Sequence, residues 1–303
     1  MSDDVVQREF MQALFEAKIL FPSGVLGVYG RSALFEKIVD GFDAKVSAFA
    51  KADNAELMRF PPVVTRTNFE KSDYLRSFPQ LMGSIHSFSG GEREHAALLN
   101  AFEAKEDWSK GLSKTDVMLC PAACYPVYPT LTGTLADEGK TVDVFSYCFR
   151  HEPSEDPARM QLFRMHENIR IGKPEAVREF RDTWLKRGHE LFRSVGLEAH
   201  SDLANDPFFG RGGRMLATNQ RDQNLKFELL HPICSTEKPT AIASFNYHQD
   251  HFGHLFDIKF ANGEHVHTAC VGFGMERIAL ALLKKHGIDP KQWPANVRQE
   301  LSL

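Results

Sequence analysis

Between Phe145 and Arg170 the chain reads FSYCFRHEPSEDPARMQLFRMHENIR, two strand-like runs around a short polar segment. The first run ends in Arg150, His151 and Glu152; the second carries Arg164, His166 and Glu167. Alternate residues of a strand share a face, so Arg150 and Glu152 point one way and His151 the other. The intervening PSEDPARM holds two prolines, which stiffen it. Two chemistries suit such a face. One is a plain cross-strand ion pair. The other is a phosphate site, with Arg150 gripping a phosphoryl oxygen through its planar fork and Glu152 accepting a hydrogen bond from an adenine amino group.

A second cluster is CVGFGMERIALALL, Cys270 to Leu283. It predicts a strand ending at Gly272-Phe273-Gly274 that turns directly into a helix, with Arg277 in the first turn. Unpaired N–H groups and the helix dipole favour an anion there. A tight turn with a solvated Arg277 fits the same residues. A third set is dispersed: Cys124 in PAACYPVYP, Glu167 in RMHEN, and Cys270, all on or beside predicted strands of one sheet. Two thiolates and one carboxylate would suit Zn²⁺ with an open fourth position, the arrangement of a working metal site. Cysteines that are simply small buried hydrophobes are the alternative.

These residues need elements to hold them. The 303-residue chain is 43% apolar and 25% charged, enough for a sizeable core. A net charge of −4 argues against a dedicated nucleic-acid binder, which carries a basic stripe. The five widely spaced cysteines do not read as a disulfide framework. The N-terminus MSDDVVQREF lacks a signal-peptide core, and no apolar run approaches the roughly 20 residues of a membrane span. A reduced, cytoplasmic protein is expected.

Apolar spacing predicts helices at 4–20, 33–51, 91–107 and 174–195, and another starting near Gly274. Strands are expected at 116–130, 141–151, 225–233, 240–248, 255–260 and 265–272, with a short one ending at Pro61-Pro62. This order predicts an α+β fold, an antiparallel sheet with helices outside, in one domain over 1–303 with a short helical extension at 1–30. GRGGR at 210–214 reads either as a basic patch for an acidic partner or as a solvated loop.

Three segments in order, MRFPPVVTRTNFEKSDYLRSFP, CFRHE with FRMHE, and GFGMERIALALL, resemble the three motifs of class II aminoacyl-tRNA synthetases. The resemblance covers roughly residues 33–285 and implies the class II antiparallel sheet, ATP as a substrate, and a homodimer through residues 33–62. By position, Arg150, Glu152, Arg159, Met160 and Arg277 would hold the nucleotide, as would Lys226 and Ala241-Ile242-Ala243-Ser244. Mg²⁺ would bridge the phosphates, with Glu228 a candidate ligand. Arg150, Glu152 and Arg277 would carry catalysis, and Arg150 and Glu167 would contact the amino acid.

The Cys124, Glu167 and Cys270 set resembles the zinc site of methanogen-type seryl-tRNA synthetases, with Cys120 a competitor for the first thiol. The short stretch before the first motif, together with DPFFGRGG and FNYHQDHFG, resembles the bacterial amino acid:carrier-protein ligases rather than a synthetase with a tRNA-binding domain. That likeness implies activation of glycine or alanine and transfer to the phosphopantetheine thiol of a carrier protein, with no tRNA and no membrane. The alternatives are a compact seryl-type synthetase that charges tRNA and a non-catalytic, synthetase-like binding subunit.

Overall fold

Helix α1 (Asp3–Glu16) leads into a short hairpin, and helix α2 (Ala33–Ala52) follows, started by Ser32, whose hydroxyl accepts from Phe35 N at 3.2 Å. The computed structural model describes residues 2–303, apart from the side chains of residues 211, 212 and 216, so part of GRGGR lies outside the described residues. The central sheet has seven strands: β1 (Glu56–Met58), β2 (Lys140–Phe149), β3 (Leu162–Gly172), β4 (His200–Leu203), β5 (Lys226–His231), β6 (Thr240–Gln249) and β7 (His267–Gly274). Their order is β4-β5-β6-β7-β3-β2-β1. Each pairing is antiparallel except β1 with β2, which is parallel.

Alternation along the central strands sorts their side chains. On β7, Val271 and Phe273 enter the main core while Cys270, Gly272 and Gly274 face a cavity. The core side is covered by α2, α3 (Pro174–Ser194) and α5 (Met275–His286). Phe42 of α2 stacks on Phe192 of α3 at 5.5 Å, and both pack on Phe273 of the sheet. Pro174 opens α3, and Gly196 in the left-handed region at φ 74° follows its end. Each large apolar side chain buried there contributes about 1.5–3 kcal/mol.

Four local expectations differ from the structure. The strand expected at 116–130 is Ser113–Leu119, in a separate three-stranded sheet with Val63–Thr65 and Ser84–Ser87. Past Leu119, Pro121, Pro126 and Pro129 remove ladder donors, and the chain forms turns and a 3₁₀ segment. The strand expected at 255–260 shrinks to Ile258–Lys259 behind a helical segment, His251–Phe256. The strand expected at 141–151 ends at Phe149, so Arg150 and Glu152 stand in the loop beyond it. Residues 210–222 form helix α4 (Gly210–Asp222); its glycines, poor helix formers, hid it from the pattern.

Candidate active site

The sheet face away from α2 and α5 lines a cavity of about 450 Å³, within the usual size of a small-molecule site. At one end lie the arginines. Arg150 extends the hairpin ladder by one step, its N–H donating to Gln161 O at 2.9 Å. Its Nε donates to Pro121 O at 3.1 Å, and its guanidinium lies over the Phe163 ring at 5.6 Å. The backbone and the ring hold the base of the fork, and no carboxylate is paired with it among the described residues. Glu152 also lines the cavity but pairs with Arg159 at 3.4 Å. Of the two readings of this face, the ion pair between Arg150 and Glu152 does not form among the described residues; both residues stand beyond the end of the strand.

Arg277 is anchored through carbonyls as well. Its Nε donates to Ala158 O at 2.9 Å and its Nη1 to Ala241 O at 3.0 Å, tying α5 to the hairpin loop and to β6. Burial, and then the positive fields of Arg150 and Arg159, lower its pKa from the ordinary arginine value. Guanidinium groups that repel one another across a cavity favour a polyanion between them. Met160 and the stretch Ala241-Ile242-Ala243-Ser244 line the same end, while Arg159 is half-exposed and pairs with Asp156 as well as Glu152.

Lys226 lines the cavity, but its ammonium already sits between Asp206 at 2.6 Å and Glu228 at 3.0 Å. A magnesium ion on Glu228 would compete with that ammonium. Burial pushes the Asp206 carboxyl up, but Lys226 and Gln220 outweigh it and hold it below the usual range.

At the other end, ligand atoms of Cys124, Glu167 and Cys270 all lie within 4.8 Å of one another. Cys124 sits in the turns after Leu119, Glu167 on β3 and Cys270 on β7. Each is 3–4% exposed. Glu167 Oε2 accepts from Cys124 N at 2.6 Å, which fixes the carboxylate against the turn. Gly272 leaves room for it, since a Cβ there would stand 3.3 Å from Glu167 Oε1. Asn246 Nδ2 approaches Cys270 Sγ at 3.5 Å, and His248 Nε2 at 3.6 Å. Cys120 is outside the cluster, its thiol donating to Ala122 O at 2.9 Å. Burial raises Glu167, and the hydrogen bond shared with Cys270, then burial, raises Cys124.

Residues 114–286 match the tRNA synthetase class II core domain (G, H, P, S and T). Amino acid–(acyl-carrier-protein) ligase 1 of Bradyrhizobium diazoefficiens is 48% identical over 288 residues, covering 94% of this chain and 88% of that protein. The chain belongs to the amino acid–(acyl-carrier-protein) ligase family. The type-2 serine–tRNA ligase of Methanococcus aeolicus is 30% identical over 256 residues, 80% of this chain but 49% of that protein. The M. kandleri seryl-tRNA synthetase, solved with A. aeolicus tRNASec, gives a TM-score of 0.83 at 19% identity. That likeness covers 97% of this chain and 60% of the synthetase, and it shows the shared fold.

In this member of the ligase family, the residue that sequence reasoning missed is Glu276. It is 2% exposed and accepts from Arg164 N at 2.6 Å and Arg164 Nε at 2.8 Å, with Arg31 at 3.3 Å. It thus ties the head of α5, where Arg277 sits, to the second arm of the hairpin. A carboxylate inside the apolar run GMERIALALL was the available signal. Asp206 and Tyr74, both on the cavity wall, carried no such signal. No helix is long and apolar enough to cross a membrane among the described residues.

Proposed function

We propose that the protein activates a small amino acid with ATP and transfers it to the phosphopantetheine thiol of a carrier protein. The observation that carries this reading is one cavity with anchored guanidinium groups at one end and a thiol–thiol–carboxylate cluster at the other. Kinship with amino acid–(acyl-carrier-protein) ligases over 94% of the chain supports the acceptor. In the first step the amino-acid carboxylate attacks the α-phosphorus of ATP and pyrophosphate leaves. Arg150 would hold the α-phosphate and the carboxylate together, and Arg277 the far phosphates. Positioning and charge stabilisation then supply most of the acceleration. Glu152 would accept from the adenine amino group, and Mg²⁺, an ion that prefers phosphate oxygens, would enter with the nucleotide and offset its charge. In the second step the carrier thiol, losing its proton, attacks the acyl carbon and AMP leaves.

The cluster of Cys124, Glu167 and Cys270 fits zinc. Its donor set suits the ion, and Asn246 offers a hydrogen bond to one sulfur, as a thiolate would require. Bound there, zinc would supply an open position that takes a neutral amine. Asn246, His248 and Phe252 crowd the same end of the cavity, which favours glycine or alanine. One methylene is worth only about 1–3 kcal/mol, so leakage between the two is expected.

A homodimer through residues 33–62 is part of the proposal. It is supported by β1, an edge strand whose Leu57 is 64% exposed, since an uncovered apolar edge invites a partner. A monomer at micromolar concentration in sedimentation would contradict it. A cytoplasmic location belongs to the same reading. The decisive experiment is ATP–pyrophosphate exchange over glycine, alanine and serine, followed by intact mass of a holo-carrier protein offered in parallel with tRNA. Exchange with aminoacylated carrier is expected; charging of tRNA alone would replace this reading with a compact synthetase.

A further inference from the structure

The two sulfurs of the cluster differ in their surroundings. Cys270 has a hydrogen-bond donor, Asn246 Nδ2 at 3.5 Å. Cys124 has a neighbour of another kind. Tyr128 lies four residues on, in the 3₁₀ segment Tyr128–Leu131, and is fully buried. Its ring stacks on Phe252 at 4.1 Å and 10°, and on Phe256 at 6.0 Å. The stack fixes where the hydroxyl points. Tyr128 packs in one buried cluster with Cys124 and Cys270, and its hydroxyl, near Cys124, makes no well-formed hydrogen bond among the described residues. A buried hydroxyl left unpaired costs about 1–3 kcal/mol. A protonated thiol is a weak acceptor; a metal-bound thiolate is a far better one.

We propose that Tyr128 is a positioning residue for the metal: its hydroxyl donates to the Cys124 thiolate once an ion is bound, as Asn246 does to Cys270. The inference rests on the zinc reading of the cluster given above. Two thiolates and a carboxylate around one divalent ion leave excess negative charge in a dry site. One neutral donor on each sulfur spreads that charge without adding a cation that would repel the ion. Groups of this kind, which touch a ligand rather than the metal, typically change metal affinity by about 10–100-fold.

The test uses the full chain stripped of metal by a chelator, then loaded with Co²⁺ or Zn²⁺. Wild-type protein is expected to show a thiolate-to-cobalt charge-transfer band. In Tyr128→Phe that band moves to lower energy, because an unbonded thiolate gives up its electrons more readily. Zinc affinity, measured against a chromophoric chelator, falls roughly 10-fold. The melting temperature of the metal-free variant stays level or rises, since an unpaired hydroxyl has gone from the core. An unchanged band and affinity in Tyr128→Phe overturn the inference and leave the metal site standing. So does a lowered melting temperature without a spectral shift, which would make the residue structural. If wild-type protein gives no thiolate band, the zinc reading itself fails and this inference falls with it.

Discussion

The two ends of the cavity are built on opposite principles. At the arginine end the charges are permanent and already in place: Arg150 rests on Pro121 O, and Arg277 on Ala158 O and Ala241 O. Carbonyl anchors orient a guanidinium without neutralising it, so the site is electrostatically ready for an anion. At the cysteine end the charge is not fixed: the hydrogen bond shared with Cys270, then burial, raises the Cys124 thiol, and burial raises the Glu167 carboxyl, so the charge there depends on what binds. One end is preorganised by carbonyl anchors that the fold brings from distant segments; the other would be completed by a ligand.

The largest effect that would break this contrast is at Cys270. Cys270→Ala is expected to abolish stoichiometric zinc and amino-acid-dependent pyrophosphate exchange together, by metal analysis and isotope exchange. Exchange retained in zinc-free protein would remove the metal from the mechanism. Arg277→Ala should come next, with a loss of roughly 100-fold or more in kcat/KM for ATP, the scale of removing a preorganised charge contact. Zinc content should be unchanged, which separates the two ends. Arg277→Lys is not expected to rescue, because one ammonium cannot reach both carbonyls and a phosphate in the fork geometry.

Glu276 sharpens the comparison from beneath. Glu276→Gln leaves Arg164 short of a buried counter-charge, and a loss of about 3–5 kcal/mol in denaturant unfolding is expected. A neutral result would mean that Glu36, the other partner of Arg164, suffices.

The pH dependence tests the wall between the two ends. The folded-state pKa of Asp206 is depressed below its usual 3.8, chiefly by Lys226 working against burial. A depressed carboxyl contributes stability that is fully present above about 3.8 and is lost as pH falls through the folded value. Asp206→Asn should therefore lower the neutral plateau and flatten the acid limb, so that the two stability curves converge at low pH. The smallest expected effect is Cys120→Ser. Cys120 stands outside the metal cluster, so zinc content should hold and only a modest drop in melting temperature should appear.

The motif sequence carried much of this before any coordinate. That Arg150, Glu152 and Arg277 line one cavity fits what the resemblance to the class II motifs implied, whereas the residues alone left an ion pair and a solvated turn open. Helix α3 was legible in the residues themselves: Pro174, a clean apolar face and Gly196 bracket it. Helix α4 was not, since three of its first four residues are glycines, which favour turns in isolation. The end of β2 at Phe149 was not legible either. Alternation of Arg150, His151 and Glu152 suits a strand, but the partner strand begins only at Leu162, so the ladder stops there apart from the Arg150–Gln161 step.

Composition and local pattern thus determined an α+β chain with an arginine-bearing hairpin and a glycine-to-helix turn. Tertiary structure decided which distant groups meet. Cys124, Glu167 and Cys270 are up to 146 residues apart in the chain (270 − 124), and no spacing rule ranks Cys124 over Cys120. The choice follows from the turn after Leu119, which sends one thiol to Ala122 O and the other toward β3 and β7. Glu276 makes the same point, because its partners are Arg164 on β3 and Arg31 in the N-terminal hairpin. Local signals act through neighbours along the chain, whereas a metal cluster or a buried ion pair depends on the register of strands that only folding brings side by side.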